Sequence, residues 1–417
     1  MQPLRGTKDI LPEENITWQY IQDIITPILS TSNYNQIITP IIETTELFQR
    51  SIGQGTDIIN KEMYSFIDQS GRNITLRPEG TASIARSFIS NQLYNKKNIN
   101  RLWYLGPMFR YERPQNGRQR QFHQLGIECI GSYNPIADVE VIRLATTILE
   151  TLHYKEYQLE INSIGKKEER EVYKTILVNY LTKYIKDLDN DSQLRMKTNP
   201  LRILDSKINK TQEIIYHAPK LISCLEYESK KYFENVCELL ESLNIQYNIN
   251  HNLVRGLDYY NDTAFEIKTQ ELGTQDTICG GGRYDSLIKQ LGGPNTPSVG
   301  WAIGLERLVL LVKDKLNYIK NNPHVYLINQ NLNTQKYMWR IMEILEKQKI
   351  KFELDLSNAN FSKQLKKAYK SGANKCIIIG ENEVNQREVT IKDLKLNSQK
   401  TVKLEIFIKT FISLLYN

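Results

Sequence analysis

The chain lacks any apolar run approaching the ~18–20 residues that a helix needs to cross a bilayer. Its five cysteines (Cys129, Cys224, Cys237, Cys279, Cys376) are odd in number and never spaced as CxxC. That argues against a disulfide framework and a structural zinc site, and for a reducing compartment. The five histidines are equally scattered, so no protein-built metal cage is visible. No GxxxxGK[ST] loop is present, and no GxGxxG links a strand to a helix. Gly280-Gly281-Gly282 runs straight into Arg283-Tyr284-Asp285. Any nucleotide must be held by something other than a glycine-rich phosphate loop. The start shows neither a secretory nor a transit-type leader, which gives the expectation that the protein works where it is made.

What is there is globular. Hydrophobic residues make up 40% and charged residues 24% of 417, a length that suggests two or three domains. The net charge of +7 is compatible with a polyanionic partner, although many proteins are mildly basic. A bias to Ile, Asn, Lys and Tyr (24 Tyr against 11 Phe) points to A/T-rich codons, hence a bacterial or organellar genome.

Glu14 to Leu29 reads as a helix with Ile16, Tyr20, Ile24, Ile25 and Ile28 on one stripe. Tyr34 to Ile42 is strand-like and carries Pro40. A hairpin is expected from Met63 to Arg77, and a second strand pair over 101–110 and 121–130, joined by a polar, glycine-containing loop. From 167 to 250 charged helical patterns dominate, so this stretch reads as a helical insertion. Strand-and-turn texture returns over 251–320 and ends in a helix near Leu305–Leu316, with a linker over 315–323. The last ~95 residues alternate strand and helix, as a separate α/β domain does.

Four constellations carry chemistry. Phe109-Arg110-Tyr111-Glu112-Arg113 with Arg118, Arg120 and Phe122 would aim guanidinium forks at phosphates and offer a ring for stacking a base, or would be a solvated hairpin tip. Glu79 and Thr81, two apart and on one face if extended, suit an ammonium group, or form an ordinary cap. In Leu253-Val254-Arg255-Gly256-Leu257-Asp258-Tyr259-Tyr260 an arginine among apolar residues needs a partner, either a substrate or Asp258. Glu306-Arg307, where a glycine-kinked strand enters a helix, is a surface ion pair or holds a phosphate-binding arginine.

In this order the motifs resemble the class II aminoacyl-tRNA synthetases. The strand with Pro40 resembles motif 1, Phe109 to Phe122 motif 2, and Gly304-Leu305-Glu306-Arg307 motif 3. Leu253 to Tyr260 (LVRGLDYY) and Gly280 to Asp285 (GGGRYD) are similar to the two histidine motifs of the histidyl-tRNA synthetase family. The resemblance implies an α+β fold, with an antiparallel sheet flanked by helices, a helical insertion and a C-terminal α/β anticodon-binding domain. The implied boundaries are 1–166 and 251–320 (catalytic), 167–250 (insertion) and 321–417 (anticodon-binding).

It also implies a reaction: ATP, with Mg²⁺ in the substrate complex, activates L-histidine, and the histidyl group passes to the 3′ end of tRNA(His). Arg255 and Arg110 would be catalytic at the α-phosphate. Glu112 and Phe122 would hold the adenine, and Arg118 and Arg307 the β- and γ-phosphates. Glu79, Thr81 and Gln124 would receive the α-ammonium, and Glu128 and Tyr260 the two imidazole nitrogens, with Tyr259 and Tyr284 completing the pocket. Gln115 would meet the tRNA acceptor end, and Lys347, Lys363 and Lys367 fit an anticodon-binding surface. A homodimer is implied, with no membrane, in the cytoplasm or a plastid stroma. The rival readings are a regulatory subunit of ATP phosphoribosyltransferase, another class II synthetase, and a tRNA-binding scaffold. The intact arginine set and the paired histidine motifs weigh against all three.

Overall fold

The computed structural model describes residues 1–417 except 54, 55, 57, 116, 274, 275, 317–324, 358, 416 and 417, and only the backbone of 315, 316, 332, 412, 414 and 415. The chain forms two units, Met1–Leu316 and Asn317–Asn417. The first helix, α1 (Pro12–Thr31), starts at a proline with preset φ, and Glu13 and Glu14 complement the positive end of its dipole. It buries Trp18, Ile21, Ile25 and Leu29. Of the expected stripe, Ile25 is on this face, Tyr20, Ile24 and Ile28 border it half-buried, and Ile16 is exposed. The buried stripe is centred on Trp18, Ile21, Ile25 and Leu29, which also satisfy helical spacing.

The chain continues through β1 (Asn35–Gln36), β2 (Ile42–Thr44), α2 (Thr45–Ile52), the hairpin β3 (Tyr64–Ile67) and β4 (Asn73–Leu76), and α3 (Thr81–Ser90). The long hairpin β5 (Asn100–Phe109) and β6 (Gln121–Ile130), α4 (Pro135–Thr151) and β7 (Gln158–Ser163) follow. Then come the helices α5 (Lys167–Thr182), α6 (Asn190–Thr198), α7 (Asn209–Tyr216) and α8 (Tyr227–Ser242). The unit closes with β8 (Asn248–Ile249), β9 (Asn261–Lys268), β10 (Thr277–Arg283), α9 (Leu287–Gln290), β11 (Ser298–Gly304) and α10 (Leu305–Val312).

Eight strands form one sheet in the order β1-β5-β6-β11-β10-β9-β7-β8. Its inner pairs are antiparallel, and only the two-residue edge strands β1 and β8 lie parallel to their neighbours. A small antiparallel sheet, β2-β4-β3, stands apart. The run from Tyr34 to Ile42, expected as one strand, is divided between the two sheets. Pro40 has no N–H to give a ladder, and around it the chain leaves β5 and crosses to β4.

The register of the large sheet positions the site. One row of cross-strand partners reads Glu160, Glu266, Gly280, Ala302, Gly126, Tyr104 from β7 to β5. Two residues along, on the same face, the next row reads Ala264, Gly282, Gly300, Glu128. Small residues in the middle of both rows leave a trough floored by backbone. The glycine triplet is therefore part of a strand whose missing side chains make room for others. The opposite face, with Trp103, Ile127 and Trp301, is covered by α4, whose Val141 carbonyl accepts from Trp301 Nε1 at 2.7 Å.

The second unit carries β12 (Val325–Asn329), α11 (Leu332–Lys347), β13 (Phe352–Leu354), α12 (Phe361–Lys370), β14 (Lys375–Ile379), α13 (Glu381–Gln386), β15 (Glu388–Asp393), β16 (Gln399–Lys403) and α14 (Leu404–Leu415). Its sheet runs β13-β12-β14-β15-β16, parallel in the first three strands and antiparallel beyond. Strand alternation sends Val325 and Leu327 into a core with Met338, Ile341, Phe407 and Phe411, and Tyr326 and Ile328 into a second core with Ala368. Of the expected linker, 315 and 316 end a short 3₁₀ turn and the rest lies outside the described residues. Among the described residues no helix is long and apolar enough to cross a membrane.

Candidate active site

A cavity of about 210 Å³ opens over the trough. Arg110, Glu112, Arg118, Phe122 and Gln124 of the long hairpin line it, with Glu79 and Thr81 at the start of α3. Arg255, Tyr259 and Tyr260 reach it from the loop before β9, and Arg307 from α10. Glu128, Tyr284 and Gln115 are not among its lining residues. Glu128 and Tyr284 stand one contact behind it, and Gln115 sits at the exposed hairpin tip, exchanging backbone hydrogen bonds with Arg118 at 2.9 and 3.0 Å.

Arg110, Arg118 and Arg307 are held in place by the fold. Arg110 donates from Nε to the Pro78 carbonyl at 2.8 Å, and its guanidinium lies 5.2 Å from the Phe122 ring centroid. Arg307 donates to the carbonyls of Thr277 (2.6 Å) and Gly117 (3.3 Å). Arg118 is ion-paired with Glu112, whose other oxygen is 3.7 Å from Arg110. Burial pulls all three guanidiniums below their ordinary pKa, and for Arg307 the charges of Arg118 and Arg110 add to it. Arg110 and Arg118 flank the Glu112 carboxylate, and Arg307 is close enough to feel both of their charges, an arrangement suited to an anion. Arg120, expected beside Arg118, instead stacks on Tyr111 at 3.8 Å and donates to the Arg5 carbonyl, so it anchors the N-terminal segment. Glu306 and Arg307 are not an ion pair: the Glu306 carboxylate accepts from the His123 backbone N–H at 2.9 and 3.0 Å.

At the other end of the cavity Thr81 begins a helix, so Glu79 and Thr81 do not lie on an extended segment. The Glu79 carboxylate caps that helix, accepting from the N–H groups of Thr81 (2.6 Å) and Ala82 (2.7 Å). Burial still holds it above the usual carboxylate range. The Thr81 hydroxyl donates to Glu128 at 2.9 Å, and Tyr284 donates to the other Glu128 oxygen. Burial raises Glu128 to about 8, the two hydroxyl bonds opposing it. The rings of Tyr259, Tyr260 and Tyr284 pack against one another with centroids 4.7 to 6.5 Å apart. Gln124 Oε1 is buried with no partner among the described residues. A buried acceptor left unpaired costs about 1–3 kcal/mol, which a bound donor would recover.

The partner of Arg255 is Glu266, not the adjacent Asp258. Asp258 turns away and accepts from Asn199 Nδ2 at 3.0 Å, and its backbone N–H bonds Ile52 O. Among the described residues Arg255 Nε has no hydrogen-bond partner. A Cβ at Gly280 would overlap the guanidinium, so the glycine leaves the space in which Arg255 now lies.

Sequence reasoning missed the residues that hold these groups. Arg170 of α5 donates to Tyr260 O at 2.5 Å and Arg202 to Gly256 O at 2.6 Å, so with Asn199 the helical insertion grips the loop that carries Arg255. This grip lines a second cavity, of about 900 Å³, that shares Arg255, Leu257 and Tyr260 with the first. Nothing in a charged helical pattern marks such residues. Glu266 did leave a signal, as a lone carboxylate in the apolar strand Ala264-Phe265-Glu266-Ile267.

The histidyl-tRNA synthetase family model matches residues 6–308, and an anticodon-binding domain model matches 324–414. The chloroplastic histidine–tRNA ligase of Gracilaria tenuistipitata var. liui is 62% identical, with 98% of this chain and 97% of that protein covered. The histidine–tRNA ligase of Rippkaea orientalis is 50% identical over 96% of this chain and 94% of its own. Among solved structures, apo S. aureus histidyl-tRNA synthetase superposes with a TM-score of 0.81 at 34% identity, covering 99% of both chains. A Bacillus halodurans protein described as an ATP phosphoribosyltransferase regulatory subunit/histidyl-tRNA synthetase shares the fold, with a TM-score of 0.67 at 23% identity, covering 91% of this chain and 98% of its own.

Sheet, motif arginines and solved relatives together define the class II aminoacyl-tRNA synthetase fold. Within that class, the chain belongs to the histidyl-tRNA synthetase family, and its function is histidine–tRNA ligation.

Proposed function

We propose that both steps of ligation take place in the cavity over the trough, with the roles assigned as follows. The observation that carries this is the meeting of four arginines from three separate segments in one small cavity, whose Thr81 hydroxyl donates to Glu128 with Tyr284 bonded behind it. In the first step a carboxylate oxygen of histidine attacks the α-phosphorus of ATP, the bond to the bridging oxygen breaks, and diphosphate leaves. Arg110 and Arg255 stabilise charge at the α-phosphate, and Arg118 and Arg307 take the β- and γ-phosphates. Binding replaces the Glu112 carboxylate with phosphate as the partner of Arg118, which frees Glu112 for the adenine beside Phe122. In the second step the terminal ribose hydroxyl of tRNA attacks the acyl carbon and AMP leaves. Mg²⁺ arrives with ATP. Among the described residues no cluster of three or more His, Cys, Asp or Glu is placed to hold a resident metal.

Glu79, Thr81 and Gln124 receive the α-ammonium; Glu79 keeps acceptor capacity beyond its two backbone bonds. Glu128 and Tyr260 take the two imidazole nitrogens, with Tyr259 and Tyr284 as the walls. Pairing both nitrogens rejects isosteres that lack them by ~10⁴ or more. Gln115 at the hairpin tip meets the acceptor end of tRNA(His), and residues 321–417 bind the anticodon.

A second copy of the chain covers the small sheet, where Ile42, Phe66 and Ile67 are exposed, and the segment that leads into it, which exposes Ile38 and Ile41. The chloroplastic relatives support a plastid stroma as the site of action. The test is ATP–diphosphate exchange with each amino acid in turn, without tRNA. Exchange with histidine alone is expected. Histidine binding without any exchange would favour a non-ligating paralogue.

A further inference from the structure

A loop arginine with a long, flexible side chain needs something to aim it. Arg255 is 15% and Glu266 16% exposed, and they form an ion pair through Arg255 Nη1 and Glu266 Oε1. Burial works against the charge of Arg255, and Glu266 with the neighbouring tyrosines more than offsets it. The carboxylate is itself fixed. Its second oxygen accepts from Thr277 Oγ1 at 3.3 Å and lies 3.4 Å from Lys268 Nζ. Lys268 is in turn anchored 2.8 Å from Glu160.

The register explains why the arginine comes here. Glu266 is the cross-strand partner of Gly280, and the guanidinium occupies the space that a side chain at 280 would fill. Arg255 therefore stands in the sheet's own row of side chains, between Glu266 and Ala302. Nε, without a partner among the described residues, and the rest of the fork remain for a ligand in the cavity that Arg255 lines.

We propose that Glu266 is a positioning residue for histidine activation: held against Thr277 and Lys268 opposite Gly280, it fixes the Arg255 guanidinium toward the α-phosphate of ATP. It touches neither substrate and acts through Arg255. The proposal rests on the role given to Arg255 above. A purely structural ion pair would account for the same bonds, but it would not confine its effect to turnover or depend on the arginine.

The experiment is ATP–diphosphate exchange by the full chain carrying Glu266→Gln, Arg255→Ala, or both, with kcat and KM for histidine and ATP measured separately. Glu266→Gln is expected to lower kcat about tenfold or more while KM for histidine changes less than about twofold. Glu266→Asp, which keeps the charge but falls one methylene short, is expected to lie in between, and it decides the matter if the Gln variant does not fold. In the Arg255→Ala background Glu266→Gln is expected to add nothing. Wild-type kcat in Glu266→Gln, or the same fractional loss in both backgrounds, overturns the proposal. If Arg255→Ala alone leaves exchange intact, the role of Arg255 falls and this proposal falls with it. If Arg255→Ala is crippled and Glu266→Gln is not, only this proposal falls.

Discussion

Glu128 and Gly300 are cross-strand partners in the central sheet, and a Cβ on Gly300 would overlap the Glu128 carboxylate and crowd the Ile127 carbonyl. On the assignment proposed above, the glycine shapes the amino-acid pocket without touching a ligand. Gly300→Ala is expected to push Glu128 off Thr81 and Tyr284 and raise KM for histidine about tenfold or more, with KM for ATP moved far less. Overpacking should also lower stability by about 1–3 kcal/mol. Exchange kinetics at varied histidine check this; equal loss for both substrates would mean general distortion of the sheet.

Glu128 should also make the ligand-free protein pH-sensitive. Its ordinary value is 4.5, and in the folded chain it is raised to about 8 by burial. Between those values the folded state keeps a proton that the unfolded state has released, so stability falls as pH rises through the window. The contribution is complete below the lower value and gone above the upper. Glu128→Gln has no proton to lose. Urea denaturation across this range should show the variant gaining on the parent as pH rises, then running parallel to it. A constant difference would mean that Glu128 is ionised throughout.

On the proposed assignment, the arginine cluster serves ATP and not histidine. Arg307 is fixed by two backbone carbonyls at the end of the cavity opposite Glu128, so Arg307→Ala is expected to raise KM for ATP about tenfold or more and leave KM for histidine near its parent value. Charge reversal of a neighbour offers a control, because Arg118→Glu should be worse than Arg118→Ala. If Arg307→Ala weakens histidine instead, the phosphate assignment is misplaced.

The sequence carried the hairpins and the motif arginines because strand alternation and turn residues are local signals. It did not carry the partners of those arginines, which are set by register between distant strands. Arg255 lies near Asp258 in the chain, yet it pairs with Glu266 because β9 and β10 bring Glu266 beside Gly280. The same limit explains Glu79, whose capping role depends on a helix beginning at Thr81, and Pro40, where the chain changes sheets. In the second unit α13, β15 and β16 went unread. Their charged, turn-rich sequence shows little periodicity until Val389 and Ile391 are placed against the shared core.

The two units carry separate hydrophobic cores, which makes the division of labour testable. A chain ending at Leu316 should retain ATP–diphosphate exchange within about tenfold while transfer to tRNA(His) falls by about a hundredfold or more, the anticodon contribution being lost. Circular dichroism and thermal unfolding verify that the shortened chain is folded. Comparable loss of both activities in a folded protein would argue that the second unit serves activation.

The Arg283–Asp138 pair sets the stability of the sheet's floor. Both side chains are fully buried, and Asp138 also accepts from Tyr232 at 2.7 Å, which ties α8 of the insertion to α4. Arg283 has a second carboxylate, Asp285, at 3.0 Å, and burial lifts Asp285 above its ordinary value while Arg283 opposes the rise. Removing one charge from a buried pair strands the other, which typically costs about 3–5 kcal/mol. Asp285 tempers this, so Asp138→Asn is expected near the lower end of that range, and Tyr232→Phe near about 1 kcal/mol. Pairing Asp138→Asn with Arg283→Met should recover part of the loss, because no charge is then left stranded. A double variant no more stable than Asp138→Asn alone would mean that loss of the pair itself, rather than the stranded charge, sets the cost.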